Sequence, residues 1–169
     1  MKNLKTLFLI ALLHATCIPA SAHDIEHEGI YYNFITEGFG FRLEVTYKGD
    51  DYAAEEEYSG EIVIPEQLVY NQQLYDVERI SAHAFYNCRN LKSVSIPKTV
   101  YQIGDYAFYG CSSLQALATS AQFNVFGEYA FAKCTSLITA DIPDGAIGKY
   151  AFSECTSLQT VTLGKDVSE

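Results

Sequence analysis

Four stretches decide how this chain folds: ISAHAFYNCRNLKSVSIPKTV (80–100), IGDYAFYGCSSLQALATSAQF (103–123), FGEYAFAKCTSLITADIPDGA (126–146) and IGKYAFSECTSLQTVTLGKDV (147–167). An Ala-Phe pair recurs at Ala84-Phe85, Ala107-Phe108, Ala130-Phe131 and Ala151-Phe152. A cysteine follows each Phe by three residues (Cys88, Cys111, Cys134, Cys155), and a leucine follows each cysteine by three (Leu91, Leu114, Leu137, Leu158). The units are spaced 23, 23 and 21 residues apart. Self-similarity at such a period marks a stack of small structural units that cannot bury their apolar faces alone.

The physics of one unit can be read from Leu91-Lys92-Ser93-Val94-Ser95-Ile96. Strand side chains alternate, so Val94 and Ile96 point inward while Ser93 and Ser95 point out. Pro97 removes a donor and stops the strand. Val100 and Ile103 return to the core, and Gly104 is expected to permit a turn that a Cβ would hinder. Residues 105–109 (DYAFY) are expected to form a helical turn burying Ala107 and Phe108. Two units are irregular: Thr119 and Ser120 replace Ile-Pro in the second, and the third lacks two residues between Pro143 and Ile147.

The pattern carried by Ile103 to Ser120 and its three companions resembles the BspA-like leucine-rich-repeat family of bacterial surface and secreted proteins. That resemblance implies a repeat solenoid of short parallel strands and helical turns, preceded by a β-rich N-terminal cap. It also implies a protein that attaches to host matrix proteins, host cells or other bacteria. Residues 29–59 alternate apolar and polar positions between turn signals, as such a cap would. Ile62-Val63-Ile64-Pro65 mimics the strand end of a repeat, and residues 68–81 insert a hairpin with its turn near Asn71-Gln72-Gln73. The organisation read from the sequence is a signal peptide over 1–22, a flexible leader over 23–28, a cap with a degenerate first repeat over 29–79, and about four repeats over 80–169, the last incomplete.

The N-terminus has its own logic. Lys2 and Lys5 precede the apolar run Leu7–Leu13, and Ala20-Ser21-Ala22 is a small-x-small cleavage site. This is the order of a secretory signal, with a run too short to span a bilayer. Cys17 leaves open a lipid-bearing cysteine as an alternative N-terminus. Cleavage removes both lysines, so a chain of net charge −10 becomes more acidic still. That balance disfavours nucleic acid and anionic membranes as partners. The incomplete repeat over 161–167 supports two readings, the N-terminal part of a longer protein or a short protein that associates end to end through its uncapped last repeat.

No nucleophile-base constellation, phosphate loop or dinucleotide fingerprint is present, and no cofactor or enzymatic activity is expected. The repeat cysteines follow the repeat period. They are expected to stack as buried free thiols. Two disulfides are the alternative, disfavoured by the parallel Cβ vectors of stacked coils. A zinc site fits less well still, since such sites place cysteines two to four residues apart. His23 and His27 fall in the leader, and Glu55-Glu56-Glu57 with Asp50 and Asp51 reads as a solvated acidic loop rather than a calcium cage.

The outward strand positions Ser93, Ser95, Ala116, Ala118, Thr139, Asp141, Thr160 and Thr162 are small and offer few anchors. Binding energy at interfaces concentrates in aromatic residues and arginine. The candidate partner-binding residues are Tyr106, Tyr129 and Tyr150, one per unit, with the varying charges Asp105, Glu128 and Lys149 beside them; the other reading of this column is that its rings cover the core edge and support the turn. The expected function is non-enzymatic binding to a protein partner outside the cytoplasm. The alternative is a structural spacer for a domain encoded beyond residue 169.

Overall fold

Leu91, Val94 and Ile96 are buried, and Ser93 and Ser95 between them are half-exposed, so the alternation in the first repeat is that of a strand with one face in a core. The computed structural model describes residues 23–47, 52, 58–119, 125–142, 145–165 and 167–168. The expected signal peptide over 1–22 and the acidic run at 55–57 lie outside the described residues.

Each repeat contributes to three hydrogen-bonded walls. The first is built from the leucine-bearing segments. Strand β4 (Gly60–Val63) pairs in parallel with β7 (Leu91–Ile96), which pairs with β9 (Ala116–Thr119). Strands β11 (Thr139–Ile142) and β13 (Thr160–Leu163) continue it as a parallel pair. The Ile138 amide donates to the Gln115 carbonyl at 3.2 Å and joins this pair to the three strands before it.

The second wall is a nine-stranded sheet. It opens with β1 (Ile25–His27), β2 (Ile30–Phe34) and β3 (Arg42–Thr46), antiparallel to one another. It then turns parallel through β6 (Gln73–Ile80), β8 (Gln102–Ile103), β10 (Val125–Phe126), β12 (Gly145–Ile147) and β14 (Val167–Ser168), with β5 (Gln67–Tyr70) forming a hairpin on β6. The cap and the repeats thus share one continuous sheet. The hairpin turn falls at Asn71 and Gln72, both with positive φ, as the sequence indicated.

The third wall is made by the Ala-Phe segments. The amides of Phe85, Phe108 and Phe131 donate to the carbonyls of Ala107, Ala130 and Ala151 in the next repeat at 2.7, 2.7 and 2.8 Å. Inside this triangle the rings of Phe85, Phe108, Phe131 and Phe152 stack at 4.8, 5.0 and 5.2 Å, close to the strand spacing of about 4.8 Å. Tyr58 closes the N-terminal end of the stack against Phe85, and its hydroxyl donates to the Thr46 carbonyl at 2.7 Å.

Three expectations require correction. No helix forms among the described residues. Each Ala-Phe segment is instead a pair of tight turns, because two of its residues take left-handed backbone angles. These are His83, Tyr106, Tyr129 and Tyr150 at one position, and Asn87, Gly110, Lys133 and Glu154 four residues later. A right-handed helix cannot run through them. Second, residues 23–28 are not a flexible leader. Ile25 is buried in β1, which pairs with β2, and the Asp24 carboxylate accepts from the Phe34 amide at 2.8 Å. Third, Gly104 has no positive φ. A Cβ there would lie 2.5 Å from the Ala82 nitrogen, so the glycine is required by the approach of the preceding repeat.

Candidate functional site

The left-handed angle at the tyrosine position has a consequence for the surface. It turns Tyr106, Tyr129 and Tyr150 outward at the same point of successive repeats, where their backbones are held by inter-repeat bonds. The Tyr106 amide donates to the Glu128 carbonyl at 2.9 Å, and the Tyr129 amide to the Lys149 carbonyl at 3.0 Å. The rings stack at 5.0 Å from Tyr106 to Tyr129 and again from Tyr129 to Tyr150. His83 extends the column, nearly parallel to Tyr106 at 5.3 Å, and Tyr52 covers its far face at 4.0 Å. The column runs from half-buried rings to Tyr150, which is 63 % exposed.

A second aromatic column, not singled out from the sequence, runs beside the first. Tyr86 stacks on Tyr109 at 5.1 Å, and Tyr109 tilts against Tyr106 at 5.7 Å. It ends where Ala132 replaces tyrosine. There the Lys133 ammonium sits 5.1 Å from the Tyr109 ring centroid, with Glu154 at 4.0 Å. The signal was present in the sequence as Phe85-Tyr86 and Phe108-Tyr109, but only two of the four repeats carry it.

The flanking charges divide in role. Asp105, Glu128 and Lys149 are all exposed. The Asp105 carboxylate, however, accepts from the Glu128 amide at 2.7 Å, so it also fastens one repeat to the next. Desolvation first, and then Tyr129, Glu128 and Asp105, hold the Tyr106 hydroxyl above its ordinary range, which keeps it neutral and able to donate. His83 is shifted down, chiefly by desolvation.

The other wall offers less. Ser93 and Ser95 are half-exposed, and Ala116, Thr139, Asp141, Thr160 and Thr162 are exposed on the leucine-strand face, with no aromatic ring among them. Ile147, Tyr150 and Phe152 line an open apolar hollow of about 550 Å³ at the last repeat.

The cysteines form the expected ladder of free thiols. The thiols of Cys111, Cys134 and Cys155 donate to the carbonyls of Phe85, Phe108 and Phe131 at 3.0, 3.1 and 3.1 Å. Burial pushes all three up from their ordinary values, Cys111 and Cys134 well up, which suppresses the thiolate. His23 packs on Tyr31 at 4.6 Å and His27 lies in β1. Among the described residues no group of three His, Cys, Asp or Glu side chains converges on a metal position. No helix of the described residues is long and apolar enough to cross a membrane.

Comparison with known proteins matches this architecture. The profile of the BspA type leucine rich repeat region matches residues 61–169 in six copies. It therefore takes in the degenerate strand at β4, which precedes the four repeats most visible in the sequence. A leucine rich cell surface protein from Faecalibacterium prausnitzii is similar in structure, with TM-score 0.61 and 26 % identity over 90 % of this chain and 45 % of its own. A leucine-rich repeat protein from Bacteroides capillosus shares the fold, with TM-score 0.64 and 24 % identity over 82 % of this chain and 96 % of its own. The pneumococcal vaccine antigen PcpA shares it too, with TM-score 0.65 and 20 % identity over 83 % of this chain and 38 % of its own. The chain thus spans less than half the length of the first and third of these proteins. No curated protein matches it. On the profile match over most of its length and on the repeat geometry that accompanies it, the chain belongs to the BspA-type leucine-rich-repeat family.

Proposed function

We infer that this chain is a non-enzymatic, extracytoplasmic protein-binding module whose partner docks on the tyrosine-bearing edge. The observation that carries the reading is the preformed aromatic column of Tyr106, Tyr129 and Tyr150, stacked at about 5 Å and anchored by backbone bonds between repeats. Rings held in this way lose little freedom on binding, which lowers the ordering cost of an interface. Tyrosine supplies both apolar area and a hydroxyl, and it is enriched at binding hot spots.

Export through a cleaved segment at residues 1–22 places the module outside the cytoplasm, in keeping with the cell-surface description of the Faecalibacterium protein. The acidic balance of the chain favours a basic partner surface, with association faster at low salt. End-to-end association belongs to the same reading, at the hollow lined by Ile147, Tyr150 and Phe152.

The test is binding to an array of extracellular matrix proteins by two variants. One carries Tyr106, Tyr129 and Tyr150 changed to Ser, and the other carries Ser93, Thr139 and Thr160 changed to Lys. The tyrosine variant should stay folded and lose at least roughly tenfold in affinity, while the lysine variant binds as the parent does. Normal binding by the tyrosine variant with failure of the lysine variant would move the site to the strand face.

A further inference from the structure

We propose that the outer face of the nine-stranded sheet carries a second binding site, for a neutral linear oligosaccharide lying along the direction in which the repeats stack. The observation is a row of polar side chains in direct cross-strand register. Asn33 faces Glu44, Glu44 faces Arg79, and Arg79 faces Gln102, after which the row passes to Val125. Neighbouring strands lie about 4.8 Å apart, so the row presents one hydrogen-bonding group per strand in a line.

A groove of about 460 Å³ runs beside this row. Its floor follows from the alternation of strand side chains. Two residues beyond Arg79, Gln102 and Val125 come Ser81, Gly104 and Gly127 on the same face. A Cβ at Gly104 or Gly127 would stand 2.5 or 2.4 Å from the backbone of the preceding repeat. Close stacking of the repeats therefore requires glycine, and the glycines leave the sheet surface hollow. Tyr47 also lines the groove.

The chemistry of the row favours sugar hydroxyls. Arg79 is held in place by the Tyr101 hydroxyl, which accepts from its Nε at 2.8 Å, and by Glu37 at 3.8 Å. The side chains of Glu44 and Gln102 have no hydrogen-bond partner among the described residues, and the Ser81 hydroxyl is shielded from solvent without one. Asn33 uses its carbonyl oxygen on the Asp24 amide and keeps its NH2 free. The site therefore alternates an acceptor, donors and groups that do both. A pyranose hydroxyl donates and accepts at once, and a linear glycan repeats such hydroxyls along its length.

Other occupants fit less well. An anionic glycan would meet Glu44, Glu37 and Asp105 against the single guanidinium of Arg79. A peptide strand needs an unpaired sheet edge for its backbone, and this row lies on a face whose strands are already paired. Ile80 and Ile103, which border the groove, are buried in the core and leave no apolar pocket for a partner's side chain.

The experiment is a glycan array of neutral and acidic oligosaccharides probed with the full exported chain, followed by calorimetry on the glycans retained. The expected result is retention of at least one neutral linear oligosaccharide, with affinity weakened roughly tenfold or more by Gln102→Ala and by Glu44→Ala. Both variants should stay folded, with melting temperatures no lower than the parent's, and Tyr150→Ser should bind the glycan as the parent does, which separates this site from the tyrosine edge. Retention of no neutral glycan, retention of acidic glycans alone, or affinities unchanged in both groove variants would overturn the proposal. So would a peptide array whose binding is lost in the same two variants, since that would make the groove a peptide site.

Discussion

At the scale of single residues, the glycine column decides how closely the repeats approach. At Gly127 an added Cβ would stand 2.4 Å from both the Asp105 nitrogen and the Gly104 carbonyl carbon, and neither backbone atom can swing aside. Gly127→Ala should therefore cost about 1–3 kcal/mol, read as a lowered denaturant midpoint with an unchanged slope. The recurrence of Ile-Gly was legible in the sequence. Its reason was not, because a glycine kept for a turn and one kept for close approach look alike until the neighbouring chain is in place. Glu44 makes a second prediction. Burial first, and then Glu37, raise its carboxyl against the lowering effect of Arg79. The folded chain then binds this proton more tightly than the unfolded chain, so ionisation of Glu44 opposes folding. Its cost is absent below the ordinary carboxylate range and grows as pH rises through the raised pKa. The stability gained by Glu44→Gln should accordingly increase with pH across that window and then level off, as measured by urea midpoints at a series of pH values. A gain independent of pH would show that Glu44 is fully solvated.

Among the elements, the Ala-Phe turn was the best-read part and also the source of one error. The spacing of Phe, Cys and Leu correctly identified what is buried. Phe85, Phe108 and Phe131 are inaccessible, as are Cys111 and Cys134. The helical turn expected there is excluded by left-handed angles at Tyr106 and at Gly110, four residues on. Glycine at 110 and asparagine at 87 hint at this, since both tolerate positive φ, but nothing about tyrosine does. The edge strand β1 was missed for a different reason. Its turn at Glu28-Gly29, both at positive φ, joins IEH to IYY, but two histidines and two glutamates around it resemble a solvated tail. Pairing with β2 buries Ile25 and overrides that composition. The cysteine ladder yields the prediction at this scale. A thiol reagent should label Cys111 and Cys134 only at the rate of global unfolding, with Cys155 reacting first because it is only partly buried. Rapid labelling of Cys111 in the native chain would mean that the third wall opens locally.

For the molecule as a whole, the repeats and the cap form one object because the return segments add strands to the sheet begun by β1, β2 and β3. The sequence indicated a β-rich cap and parallel strands, but it gave no sign that the two share a sheet. Return strands of two or three residues, such as Gln102–Ile103 and Val125–Phe126, are too short to show alternation. They exist only because each pairs with the one before it. The Ala-Phe wall shares this pitch, and its tyrosines stack at about 5 Å. The tyrosine column was legible as a period, whereas its fixed geometry depended on bonds between repeats. The central claim is that this column is the docking surface. The most direct test is hydrogen exchange of the chain alone and bound to a matrix protein that it retains. The account predicts new protection at residues 105–109, 128–132 and 149–153, with residues 91–96, 139–142 and 160–163 unchanged. New protection confined to those strand residues, with the tyrosine segments exchanging as in the free chain, would contradict it.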